Sequence, residues 1–276
     1  MAQRSILITG TSSGIGLDAA RTLKDRGWRV FAANRKPEDC ARLADEGFET
    51  PRIDYEDPES IDSGLAEVLE ATGGTLDALF NNGAYGIPGA VEDLPADALR
   101  QIFQANVFGW HALTRATIPV MRAQGHGRII NHSSVLGFVT LPWRGAYNAT
   151  KFATEGLTDT LRVEMMDSPI HIVTLNTGPV TSMIRQKSIP HFERWIDWES
   201  SPRREFYKKA LIKRLYEDTG PDRFELPPSA VTAKLIHALE SPKPRARYRI
   251  TTPTYIMDVA RRILTTRALD RLLAKS

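Results

Sequence analysis

Tyr147 and Lys151, four residues apart in Tyr147-Asn148-Ala149-Thr150-Lys151, are the first residues whose types and spacing suggest chemistry. On a helix, positions i and i+4 share a face, so the phenol and the ammonium can lie side by side over a ligand. A free tyrosine titrates near pH 10 and is a poor base at neutrality, but a neighbouring ammonium stabilises its phenolate. Alone the pair says little, because Tyr and Lys at this spacing occur by accident in about a third of chains this long. Ser134, thirteen residues before Tyr147, lies just past the apolar run Arg128–Asn131. Strand ends in open α/β sheets deliver side chains to a ligand crevice; by itself Ser134 reads rather as a loop-capping hydroxyl. Asn106 is a poor helix former within a helical stretch, and its plain reading is a solvated surface amide.

A second constellation is Thr9-Gly10-Thr11-Ser12-Ser13-Gly14-Ile15-Gly16, directly after an apolar run and at the start of a helical pattern. Glycines let backbone amides approach a pyrophosphate with no Cβ in the way, and the helix N-terminus adds unpaired donors and a partial positive charge. The run Arg29–Ala33 then ends in Asn34-Arg35-Lys36, with no acid for the ribose hydroxyls. Arg35 can meet a phosphate with a planar fork. The other reading of Arg35 and Lys36 is solvated surface charge.

Elements of an α/β fold must position these groups. Short aliphatic runs (Ser5–Ile8, Arg29–Ala33, Leu76–Phe80, Arg128–Asn131, His171–Leu175) alternate with helical stretches (from the glycines to Arg26, Glu38–Glu46, Pro95–Met121, Gly145–Met166). That order implies a doubly wound parallel sheet of Rossmann type, a three-layer single domain over 1–276. Residues 184–228, rich in aromatics, charges and prolines, read as a helical substrate lid, after which the alternation resumes at Ser229–Leu239 and Tyr248–Thr251. Phe192, Trp195, Ile196, Trp198, Phe206 and Tyr207 in the lid, with Leu141 and Trp143, could line an apolar slot; equally, the lid aromatics could pack it onto the body.

The 276 residues are 42% hydrophobic and 25% charged, which excludes disordered and low-complexity classes. Cys40 is the single cysteine, so an intrachain disulfide and a thiolate-rich metal cluster are ruled out; no metal is expected, and a reducing cytoplasmic location fits. The formal charge of +3 hides a basic C-terminal extension, 243–276, with nine Lys or Arg against two Asp. There Tyr255, Ile256, Val259, Ile263 and Leu264 recur at helical spacing among arginines. Such a C-terminal helix either covers the domain's own core or makes peripheral contact with an anionic membrane. Nucleic-acid binding is not expected, since no recognisable module accompanies the arginines.

Taken together, Gly10, Gly14 and Gly16, Asn81-Asn82-Gly83-Ala84 after a strand, Asn106, Ser134, Tyr147 and Lys151, and Asn176-Thr177-Gly178-Pro179-Val180 resemble, in order and spacing, the short-chain dehydrogenase/reductase family over roughly the first 180 residues. The similarity is greatest to the branch of NADP-dependent aldehyde reductases, retinol dehydrogenases and hydroxysteroid dehydrogenases. The resemblance implies NADP(H) held by Gly10, Ser12, Ser13, Gly14, Ile15, Gly16, Arg35, Asp54, Asn82, Gly83, Gly178, Val180 and Ser182, with Tyr147 and Lys151. It implies a lipophilic substrate against Ser134, Leu141, Trp143 and Tyr147, with Tyr147 exchanging a proton, Ser134 holding the oxygen and Asn106 supporting a water that leads to Lys151. A homodimer or homotetramer built through the two long helices is also implied. The chain departs from the family's Asn-Asn-Ala-Gly and Pro-Gly with Gly83-Ala84 and Thr177-Gly178, and carries Ser182 beside Thr181 where a threonine is common. Each departure at a glycine still offers a glycine, so altered local geometry is expected rather than lost binding. Two alternatives stay open: a regulator that senses NADP(H) without chemistry, and a lyase or epimerase reusing the tyrosine.

Overall fold

Apolar strands and amphipathic helices alternate along most of the computed structural model, which describes residues 3–217 and 220–274. Lys275 of the basic tail and residues 218–219 of the expected lid lie outside the described residues. The strands are β1 (Ser5–Thr9), β2 (Arg29–Ala33), β3 (Ala78–Asn81), β4 (Gly127–Ser134), β5 (Ile170–Thr177) and β6 (Arg247–Ile250). Between and after them run α1 (Gly14–Asp25), α2 (Pro37–Asp45), α3 (Pro58–Thr72), α4 (Ala96–Phe103), α5 (Gly109–Gln124), α6 (Gly145–Glu164), α7 (Ile184–Trp195), α8 (Arg204–Phe206), α9 (Lys213–Tyr216), α10 (Ser229–Glu240), α11 (Thr252–Ile263) and α12 (Thr266–Leu273).

All six strands pair in parallel, in the order β2-β1-β3-β4-β5-β6. Because side chains alternate across a strand, Leu7 packs on one face with Phe31, Leu79 and Ile129, beneath Ile61 and Leu65 of α3, Ile102 of α4 and Leu113 of α5. Its neighbours Ile6 and Ile8 pack on the other face with Val30, Phe80 and Leu175, under α1 (Ala19, Ala20, Leu23) and α10 (Val231, Leu235). Helices on both faces make the three-layer, doubly wound Rossmann domain that the alternation implies. Strand order reverses between β1 and β3, and that reversal opens a crevice at the carboxyl ends of these strands.

Several elements differ from the sequence reading. Between β2 and β3 stands α3, a helix absent from the alternation, and the run after Gly47 makes only isolated bridges, Phe31–Glu49 and Asn34–Arg52. The helix expected over Pro95–Met121 is interrupted by a π turn at Gln104–Phe108, centred on Asn106. In the tail, Leu269 and Leu273 pack with Phe138 and Val139, but Tyr255, Ile256, Val259, Ile263 and Leu264 face outward, with Ile263 73% exposed. Those five residues therefore do not cover the domain's own core. Among the described residues no helix is long and apolar enough to cross a membrane.

Candidate active site

The glycine loop is built by close backbone approach. Gly10 and Gly14 adopt left-handed φ of 68° and 57°, a conformation glycine reaches without steric cost. A Cβ on Gly16 would stand 2.3 Å from the Gly10 carbonyl oxygen, and one on Gly10 would stand 2.6 Å from Gly83 Cα. Asn82 fastens the loop to the end of β3 by donating to the Thr9 and Gly10 carbonyls at 3.0 and 3.2 Å. Its Oδ1 is thereby turned toward His132 Nδ1, 2.8 Å away, while His132 Nε2 meets the Thr177 hydroxyl at 3.1 Å. Burial, reinforced by Lys151, lowers His132 to about 3. His132 is thus a neutral strut between three strand ends.

The loop opens into a cavity of about 1550 Å³ that runs past the ends of β1, β3, β4 and β5. Every expected cofactor and substrate residue lines it: Gly10, Ser12, Ser13, Gly14, Ile15, Gly16, Arg35, Asp54, Asn82, Gly83, Gly178, Val180 and Ser182, and likewise Ser134, Leu141, Trp143, Tyr147 and Lys151. Asn106, expected in the catalytic set, does not. It is fully buried rather than a solvated amide. Its side chain accepts from Tyr85 N at 3.2 Å and donates to Tyr85 O at 2.8 Å and to Thr150 Oγ1 at 3.3 Å. The π turn is the backbone's means of presenting this side chain inward.

Ser134 caps the short turn after β4, accepting from Leu136 N at 3.1 Å, so the capping role and a place on the cavity coincide. Lys151 is buried, its Nζ donating to the His132 carbonyl at 2.8 Å and lying 4.4 Å from the Trp110 ring centre and 5.4 Å from that of Tyr147. Burial lowers its ammonium to about 7, against an opposing pull from Glu155. Burial likewise pushes the Tyr147 phenol above its ordinary value, while the charge of Arg144 and a hydrogen bond with Ser134 act the other way.

At the nucleotide end, Arg35 is exposed on the cavity rim. Lys187 of α7 reaches across to donate to Ser12 Oγ and Ser13 Oγ, both at 2.8 Å. Arg42 of α2 donates to Ser12 O at 2.8 Å. Burial lowers the Lys187 ammonium, Asp39 opposes it, and Arg35, Lys36 and Arg42 are close enough to lower it further. A dianionic phosphate fits such a cluster of cations beside a helix N-terminus, and the side-chain-free approach at Gly10 and Gly16 fits a pyrophosphate. Lys187 was not legible as a site residue, because its place depends on how α7 returns to the loop.

The lid aromatics do not line the cavity. Phe192, Ile196 and Tyr207 are buried in the core cluster, Trp195 and Trp198 pack against it, and Tyr207 donates to Asp93 at 2.8 Å. Trp143 packs against Tyr207 with ring centres 4.8 Å apart, in a left-handed conformation (φ 65°) that costs a bulky residue energy. The apolar part of the cavity wall comes instead from residues such as Ile87, Leu141, Met183, Leu211 and Leu215.

A family model described as short chain dehydrogenase matches residues 4–192. The chain is 38% identical over 272 residues to the "Uncharacterized oxidoreductase YbbO" of Escherichia coli, covering 98% of this chain and 94% of that protein. It is 28% identical over 280 residues to the "NADPH-dependent 3-dehydrocapnine reductase" of Ornithobacterium rhinotracheale, covering 99% and 96%. A solved short-chain dehydrogenase from Streptomyces avermitilis superposes with a TM-score of 0.78 at 26% identity, over 99% of this chain and 96% of that one. With the glycine loop at the strand-order reversal and the family match across more than half its length, this chain belongs to the short-chain dehydrogenase/reductase family of oxidoreductases acting on CH–OH groups.

Proposed function

We propose that the protein interconverts a carbonyl and an alcohol with NADP(H), on an aldehyde, ketone, retinoid or steroid-like substrate with a lipophilic body. The observation that carries this reading is that Ser134, Tyr147 and Lys151 line the cavity whose other end holds the glycine loop. When bound, the nicotinamide coenzyme supplies or takes up the hydride. Tyr147 gives its phenolic proton to the carbonyl oxygen in reduction, or takes one from the alcohol in oxidation, and Ser134 holds that oxygen by a hydrogen bond. Lys151 steadies the charge on the phenolate. Asn106 acts on this set through Thr150, the residue before Lys151.

Gly10, Gly14 and Gly16 would hold the pyrophosphate, and Arg35, with Lys187 and Ser12 near it, the 2′-phosphate. The NADPH dependence of the Ornithobacterium relative supports NADP(H). The residue set also favours catalysis over pure sensing, since a sensor has no need of an acid–base tyrosine beside a lysine. Residues 184–228 serve as the lid and 243–276 as a basic extension. The free, half-buried thiol of Cys40 fits a cytoplasmic location. The outward-facing Phe152 and Leu157 of α6 support a homodimer or homotetramer, which light scattering would measure.

The test is NADPH absorbance against aldehydes, ketosteroids, retinal and sugars, repeated with NADH. Turnover of lipophilic carbonyls with a lower KM for NADPH supports the proposal. A preference for NADH refutes the coenzyme assignment, and turnover of sugars alone refutes the substrate class.

A further inference from the structure

Arg144, Tyr147 and Lys151 stand at i, i+3 and i+7 about the start of α6, a spacing that sets them along one helical stripe, and all three line the cavity. Tyr147 is the middle member. Arg144 therefore lies about one turn beyond the phenol, on the side away from Lys151. The same cavity is lined by the apolar side chains of Ile87, Leu141, Leu211 and Leu215 and by the charged Arg185, Arg214 and Asp222. A guanidinium in such surroundings is costly unless something pairs with it.

Among the described residues, the Arg144 side chain has no hydrogen-bond or ion-pair partner. The carboxylate that acts on it, Asp222, is already bound by Arg214 through hydrogen bonds of 3.0 and 2.8 Å and approached by Arg185 at 3.6 Å. Burial and the charges of Arg214 and Arg185 lower Arg144 to about 10, so at neutral pH it remains a cation. The coenzyme's phosphates do not account for it, because Ser12, Ser13 and Lys187 cluster at the glycine loop. An unpaired cation next to the acid–base tyrosine, in a pocket whose wall joins apolar side chains to the Arg185, Arg214 and Asp222 cluster, is the arrangement that selects an oxyanion on the reacting molecule.

We propose that Arg144 is a specificity residue for an anionic substrate: a carbonyl compound, or its alcohol, bearing a carboxylate or phosphate about one helical turn (~5 Å) from the reacting carbon and an apolar remainder against Leu141, Leu211 and Leu215. This rests on the reading of Tyr147 as the proton donor, and it adds a charged end to the lipophilic body proposed above.

The test uses medium-chain oxo acids with the carbonyl ~5 Å from the carboxylate, their methyl esters, and matched phosphate monoesters of keto alcohols. For each, kcat/KM is followed by NADPH absorbance, and binding to the NADPH-loaded protein by calorimetry. One or both anions should exceed the neutral ester by about tenfold to hundredfold, chiefly through KM, and which anion wins identifies the oxyanion. Arg144→Gln should bring anion and ester within about threefold, and Arg144→Lys should restore part of the gap. The Kd for NADPH, read by fluorescence on both variants, checks that they are folded. Equal use and equal binding of anion and ester by the wild type, or an anion preference that survives Arg144→Gln, overturns the inference. Absence of NADPH oxidation with every carbonyl compound would instead strike the proposed activity, and the calorimetric comparison still decides the role of Arg144.

Discussion

Lys151 Nζ donates a 2.8 Å hydrogen bond to the main-chain carbonyl of His132, tying α6 to the carboxyl end of β4. The same histidine is clamped by Asn82 and Thr177 at the ends of β3 and β5. The lysine's position is therefore set by three strands at once, and its burial follows from that anchorage.

One consequence is a pH dependence. With its ammonium lowered to about 7 by burial, Lys151 sheds its proton as pH rises through neutrality. A positive neighbour makes the Tyr147 phenol a better acid, so carbonyl reduction should decline as pH rises through about 7. Alcohol oxidation, which needs the phenolate, should rise with pH instead. Lys151→Arg keeps its charge throughout, and the declining limb near neutrality should disappear from its rate profile. A reduction rate that climbs between pH 6 and 8 would contradict this account.

Arg35 follows β2 on the rim of the cavity. Arg35→Glu should weaken NADPH by about tenfold to hundredfold, the worth of a charge-assisted contact, while NADH improves through hydrogen bonds to its ribose hydroxyls. The ratio of kcat/KM for the two coenzymes measures the exchange. An unchanged ratio would return Arg35 to the status of a solvated surface charge.

Gly16→Ala introduces a Cβ 2.3 Å from the Gly10 carbonyl oxygen and 2.7 Å from Asn82 Nδ2. The loop must shift, at a cost of about 1–3 kcal/mol in stability, and coenzyme affinity should fall more than about tenfold. Gly156→Ala, at an exposed position of α6, meets nothing within 4 Å and should gain up to ~1 kcal/mol. Thermal melting of the two variants, with NADPH titration, separates a crowded phosphate cradle from a generic glycine effect.

Much of this architecture is written locally. β1, β2 and β3–β6 lie where apolar runs meet turn residues, and the glycine loop, Ser134, Tyr147 and Lys151 come together because each sits at a strand end or on one helix face. Helix α3 was missed, although its signals are local: Asp57 caps it by accepting from Ser60 N, Pro58 opens it, and Ile61, Leu65 and Val68 recur on one face. The π turn at Asn106 was not legible, because it answers to the main chain of Tyr85, far away in sequence. Nor was Lys187 on Ser12 and Ser13, or the unpaired charge of Arg144, since both depend on how the segment after β5 folds back over the cavity. Hydrophobicity alone left the lid open between lining a slot and packing on the body, and Phe192 and Tyr207 serve the core rather than the pocket.

The central claim is that Tyr147 carries the proton for hydride chemistry, and deuterium transfer from deuterated NADPH to a carbonyl substrate tests it most directly in the wild type and in Tyr147→Phe. The wild type should give labelled alcohol, and the variant should lose about a hundredfold to ten-thousandfold in rate with a Kd for NADPH within about twofold of the original. Labelled product formed by Tyr147→Phe at the wild-type rate would contradict it.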